Sequence, residues 1–160
     1  MTIVFEISLG AQIITETDLA KRFAKLRPEL AAADSMEGGV SVTDDEGDET
    51  VGFGDVLEAL VEQLCFRAVT AVLAGKDYSF NFYAYPEQVT LHPEGALVHL
   101  SGSDIEPVSL PAAELLPGLV ACGERFVTLL ERIHQGNAKL AKHLASLRKL
   151  AAETQAKVSG

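Results

Sequence analysis

The chain has 160 residues, close to the length of one domain, and its 48% hydrophobic and 22% charged residues exclude global disorder. Its 13 Lys and Arg against 23 Asp and Glu leave a formal charge of −10, which disfavours nucleic acid and anionic membrane and points to a basic partner. No apolar run reaches the roughly 18–20 residues that span a bilayer and the opening segment lacks a basic leader region, so a mature cytoplasmic protein is expected.

Thr2 to Leu9 alternate, with Ile3, Phe5, Ile7 and Leu9 on one face, the pattern of a half-buried strand that Gly10 can end. Thr17 is expected to cap a short helix carrying Leu19, Phe23, Leu26 and Leu30, interrupted by Pro28. Lys21, Arg22, Lys25 and Arg27 read as its solvated basic face. Val40 and Val42, then Val51 and Phe53, flank Asp44-Asp45-Glu46-Gly47-Asp48-Glu49, which predicts a hairpin with a long acidic turn.

Asp55 followed by Glu58 forms a capping-box variant for a helix from about Val56 to Ala74, closed by Gly75. Its broad apolar face, including Leu57, Leu60, Leu64, Cys65 and Ala68, predicts the central core helix. Strands are expected over Tyr78 to Tyr85, Gln88 to Leu91 and Ala96 to Ser101, the last two joined at His92-Pro93-Glu94-Gly95. A short extended piece from Pro107 to Leu110 leads into a largely helical remainder. Pro117 fits the first turn of a helix reaching about His134, and Gly136-Asn137 either ends that helix or is tolerated within it.

From Phe126 through Leu130, Ile133, Asn137, Leu140, Leu144, Leu147, Ala151 and Thr154 to Val158, spacings of four and three trace a heptad register. Asn137 at an a position raises a homodimer through the C-terminal helix; an amphipathic helix folded back on its own sheet explains the stripe equally well. The expected fold is α+β: a mainly antiparallel sheet, a central amphipathic helix and a long C-terminal helical segment. One domain covers 1–160, with 136–160 as a candidate helical extension.

The charge is unevenly spread. Through Glu131 there are 7 basic and 22 acidic residues, whereas Arg132 to Gly160 hold 6 basic and 1 acidic. Asp34 to Glu62 contains ten acids in 29 positions and no Lys or Arg. Calcium is not indicated, because Gly47 is fourth rather than sixth from Asp44 and Asp55 stands where an EF-hand carries Glu. Two readings stay open: a solvated loop, or a docking surface for a basic cleft. Tyr83 and Tyr85, on the face of the aromatic strand opposite Phe80, are either binding anchors or groups packed beneath the C-terminal helix.

His92 and His99 can meet across strands but lack a third metal ligand. Cys65 and Cys122 read as buried reduced thiols. With no catalytic motif, no metal set and no cofactor loop, a binding protein rather than an enzyme is expected.

A small acidic α+β protein with this acid-only stretch resembles the immunity proteins of bacterial polymorphic toxin systems. The resemblance is one of type. It implies a protein that binds one toxin domain in the producing cell and blocks its active cleft. Asp44, Asp45, Glu46, Asp48 and Glu49 are the candidate contacts, with Tyr83 and Tyr85 as anchors. Secretion-type chaperones are also small, acidic and α+β, and form the alternative; a small-molecule enzyme or sensor is the third.

Overall fold

The N-terminal alternation builds the expected strand, and a second strand that it does not announce follows. In the computed structural model, which describes residues 1–160, β1 (Thr2–Leu9) turns at Gly10 into β2 (Gln12–Thr15). Thr15, not Thr17, caps α1 (Glu16–Ala32): its hydroxyl accepts the Asp18 N–H at 3.2 Å while the Asp18 carboxylate accepts the Thr15 N–H at 3.3 Å. The later threonine already lies inside the first turn. Pro28 does not interrupt the helix, since burial of Leu26 and Leu30 on either side offsets the hydrogen bond lost at the preceding turn.

The expected hairpin forms from β3 (Glu37–Thr43) and β4 (Glu49–Val56). With β1 and β2 it completes an antiparallel sheet in the order β2-β1-β3-β4. Ile3, Phe5 and Ile7 of β1, Val40 and Val42 of β3, and Val51 and Phe53 of β4 all face the core. The alternate residues form the outer face.

The central helix α2 runs as an α-helix over Leu57–Leu60, widens into a π-helix over Val61–Arg67 and returns to α-helix over Ala68–Leu73. Widening turns three consecutive residues, Leu64, Cys65 and Phe66, into full burial. It also brings Glu62 beneath Arg67, five residues on, at 2.7 Å. Gly75 closes the helix at φ +74° as expected, with the Lys76 N–H donating to the Ala71 carbonyl at 3.0 Å.

The second sheet is antiparallel in the order β5-β6-β7-β8: Tyr78–Asn81, Gln88–Glu94, Leu97–Gly102 and Val108–Pro111. The aromatic strand is half as long as its alternation suggests, ending at Asn81. The β6–β7 turn is also tighter than expected, falling at Gly95-Ala96 and leaving His92 and Pro93 inside β6. Pro93 is tolerated because β5 pairs with β6 only as far as Leu91.

α3 (Ala112–Ile133) begins a full turn before Pro117, so that proline is not in the first turn. It crosses α2 at Gly123, where a Cβ would stand 2.7 Å from the Phe66 ring, and its Phe126 meets Phe5 edge-on at 5.4 Å. Arg125 completes the part of β1 that β2 does not reach: it donates to the Ile3 carbonyl at 2.7 Å and to Glu16, whose carboxylate accepts the Phe5 N–H at 3.3 Å.

Gly136, at φ +84°, breaks the C-terminal helical run, and α4 (Ala141–Ser159) folds back along α3. Asn137 is exposed in the break, its side-chain oxygen accepting the Lys139 N–H at 3.1 Å, rather than occupying a buried a position. The heptad register therefore does not run along one helix. Its later members Leu147 and Ala151 are buried within this chain, and α4 lies on α2 and α3 rather than across a sheet. Arg27 donates to the carbonyls of Ile133 and Gln135, both at 3.2 Å, neutralising the end of α3. The fold is α+β, and its 39 buried apolar residues form one cluster, so both sheets share one core.

Candidate functional site

The outer face of the first sheet is a shallow cleft of about 370 Å³. Its floor is Gly39, Ser41, Gly52 and Gly54, and its walls carry Glu6 from β1, Glu37 from β3, Glu49 and Asp55 from β4, and Tyr85. No Lys or Arg lines it. The register Glu6↔Gly39 and Ser41↔Gly52 sets glycines and small residues on the outer positions, leaving space for longer neighbours to lie down. Thus the Glu49 carboxylate lies where a Cβ on Gly52 would be, 2.9 Å from that position. Glu6, Glu37 and Glu49 form no ion pair within the chain.

The five acids of the turn do not act as one set. Asp44 turns inward on its own backbone, accepting the N–H groups of Glu46 at 2.9 Å and Asp48 at 3.0 Å. Asp45 pairs with the Met1 amino group at 2.5 Å, and that hydrogen bond holds its carboxyl below the usual range while raising the amine. Glu46 and Asp48 remain exposed at the tip without a cation partner. Only Glu49 reaches the cleft.

Asp55 is not a helix cap. Val56 holds the cap position of α2 without any side-chain hydrogen bond, while Asp55, 4% exposed, accepts the N–H of Tyr83 at 2.7 Å and of Ala84 at 2.8 Å. A carboxylate desolvated in this way needs both bonds. They fix loop 82–87, which also closes on itself through the Phe82 N–H donating to the Glu87 carbonyl at 2.8 Å. Phe82 is buried, whereas Tyr83 is 81% and Tyr85 52% exposed. The two tyrosines are therefore surface groups on a pinned loop, neither in a strand nor beneath the C-terminal helix. Tyr85 walls the acidic cleft and Tyr83 a second groove on the other side.

On the second sheet several polar side chains pair with one another. His92 and His99 stand opposite on β6 and β7 with rings stacked at 6.0 Å, bound to Asp77 and Glu94, each at 2.6 Å. No three His, Cys, Asp or Glu side chains are grouped to hold a metal ion. Cys65 and Cys122 are free and fully buried, and the Cys122 thiol together with burial pushes the Cys65 thiol well above its ordinary range. No helix is long and apolar enough to cross a membrane.

Chemically, the cleft offers carboxylate acceptors and an aromatic wall, a set suited to guanidinium or ammonium groups. Sequence reasoning found Glu49 and Tyr85 but missed Glu6, Glu37 and the role of Asp55. The available signal was the glycines at alternate strand positions, Gly54 facing Gly39 and Gly52 facing Ser41, which mark a face kept clear of side chains. No family model matches this chain, and neither does any curated protein or solved structure.

Proposed function

We propose that this chain is a stoichiometric binding protein that neutralises a cognate toxin domain in the cytoplasm of the producing cell by occluding its basic active cleft. It acts by binding and not as an enzyme. The observation that supports this is the cleft on the first sheet, whose Glu6, Glu37 and Glu49 lack any cation of their own. Unpaired carboxylates held together carry a cost of mutual repulsion that a basic partner relieves, and the same field speeds and orients its approach. The exposed Glu46 and Asp48 extend that field beyond the rim.

The test is to isolate the partner from native extract and measure its affinity by calorimetry at about 50 and 300 mM salt. A basic partner whose affinity falls at least tenfold over that range is expected. An affinity indifferent to salt contradicts the proposal. A second reading, a secretion-type chaperone, is favoured by the groove beside Tyr83, which has an apolar floor of Leu30, Phe126 and Leu130. It differs in requiring an unfolded client segment rather than a folded domain.

A further inference from the structure

The groove beside Tyr83 holds about 360 Å³ between the end of α1, the first turn of α2 and the end of α3. Its floor is core-like: Leu30, Phe126 and Leu130 are at most 3% exposed. Its rim is acidic and includes no Lys or Arg. Asp34 has no ion pair, while Glu58 meets His143 and Glu62 meets Arg67 from outside the groove. Tyr83 stands at its edge with 81% of its surface open, although Asp55 fixes its backbone. Fixing the backbone that carries an exposed aromatic side chain lowers part of the entropy that binding must overcome, and tyrosines are frequent anchors.

Loop 82–87 joins this groove to the acidic cleft, since Tyr85 walls one and Tyr83 the other. A single polypeptide surface can span both, whereas a small molecule in the groove cannot. We propose that the groove takes a protein segment in which an apolar side chain is flanked by Lys or Arg, docked against Tyr83 in a position set by Asp55. This rests on the reading of the chain as a binding protein and specifies the partner: basic at the cleft, apolar with basic flanks at the groove. Asp55 is a positioning residue, acting through the loop.

The test is amide NMR on the full chain with two synthetic peptides of equal charge, acetyl-Lys-Leu-Lys-Phe-Lys-amide and acetyl-Lys-Ser-Lys-Ser-Lys-amide. The apolar peptide is expected to shift the Met36, Ala59 and Tyr83 amides saturably, with affinity roughly fivefold or more above the serine peptide. Tyr83→Ala should abolish that preference and Tyr83→Phe should keep it. Asp55→Asn, which keeps one acceptor, should weaken it, and Asp55→Ala should weaken it further while Leu130 and Phe126 amides stay native. Equal shifts with the two peptides, or none at the groove, would overturn the inference. So would groove shifts that appear on concentrating the protein alone, which assign the groove to a second copy, or phenethylamine shifts as large as the peptide's. If the groove responds while Gly39, Gly52 and Gly54 stay still with both peptides, the groove inference stands and the acidic-cleft reading fails.

Discussion

The outer faces of the two sheets are built alike and carry their charges differently. Both are antiparallel, four strands wide and open on one side. On the second sheet the polar residues bind one another: His92 with Asp77, His99 with Glu94 and Ser109, and Ser79 with Thr90 at 2.7 Å. On the first sheet Glu6, Glu37 and Glu49 stand over a glycine floor with no internal partner. A surface that satisfies its own charges has little to gain from a partner, whereas one that leaves carboxylates together gains when cations arrive. On the proposed function, that contrast makes the first sheet the recognition face.

The largest expected effect tests the glycine face. A Cβ on Gly39, in the cleft floor, would lie 2.8 Å from the Phe53 carbonyl oxygen, a backbone atom that cannot step aside. Gly39→Val should cost about 3 kcal/mol or more in urea unfolding, against roughly 0.5 kcal/mol for Ser101→Val on the exposed face of β7. Equal costs would remove the distinction between the faces. Next comes Asp55→Ala, expected to cost about 2–4 kcal/mol by loss of two hydrogen bonds to a charged group. His99→Ala should cost about 1 kcal/mol, because its bonds are made at the surface. Replacing Glu6, Glu37 and Glu49 together by Gln should change stability by no more than about 0.5 kcal/mol, since no intramolecular bond is lost.

How far the chain discloses this contrast differs by region. The β3–β4 hairpin is legible because Val40, Val42, Val51 and Phe53 alternate around an acidic turn, a pattern local to the hairpin itself. Gly75 is legible for the same reason. Asp55 and Glu58 carry a local capping signature, yet Asp55 meets Tyr83 and Ala84, nearly thirty residues away, and that tertiary contact wins. The same contact explains why alternation through Tyr85 overstates β5. β2 is obscure because Ile14 is its only buried residue. Glu6 and Glu37 join one cleft only through the pairing of β1 with β3, which no local pattern announces.

The smallest effects lie in the pH response of the two sides. Asp45, beside the first sheet, has its pKa lowered from 3.8 by hydrogen bonding to the Met1 amine, so its contribution is present above that value and lost as acid protonates it. Tyr78, on β5, has its pKa raised from 10.0 by desolvation, so its contribution is full below that value and lost as base ionises it. Asp45→Asn should flatten the acid limb of a stability profile, together with the loss above pH 8.0 that the raised Met1 amine contributes, and Tyr78→Phe should change the alkaline limb alone. The reverse assignment would contradict the electrostatics of both sites.

The most direct measurement compares partner affinity for two variants of equal charge change. One carries Glu6→Gln, Glu37→Gln and Glu49→Gln on the first sheet; the other carries Asp77→Asn, Glu94→Gln and Asp104→Asn around the second. Calorimetry against the isolated partner at about 50 mM salt should show the first weakened by on the order of tenfold or more, about 1.4 kcal/mol, and the second nearly unchanged. Equal weakening of the two would reduce the effect to net charge, and full affinity in the first would contradict the assignment of the first sheet as the recognition face.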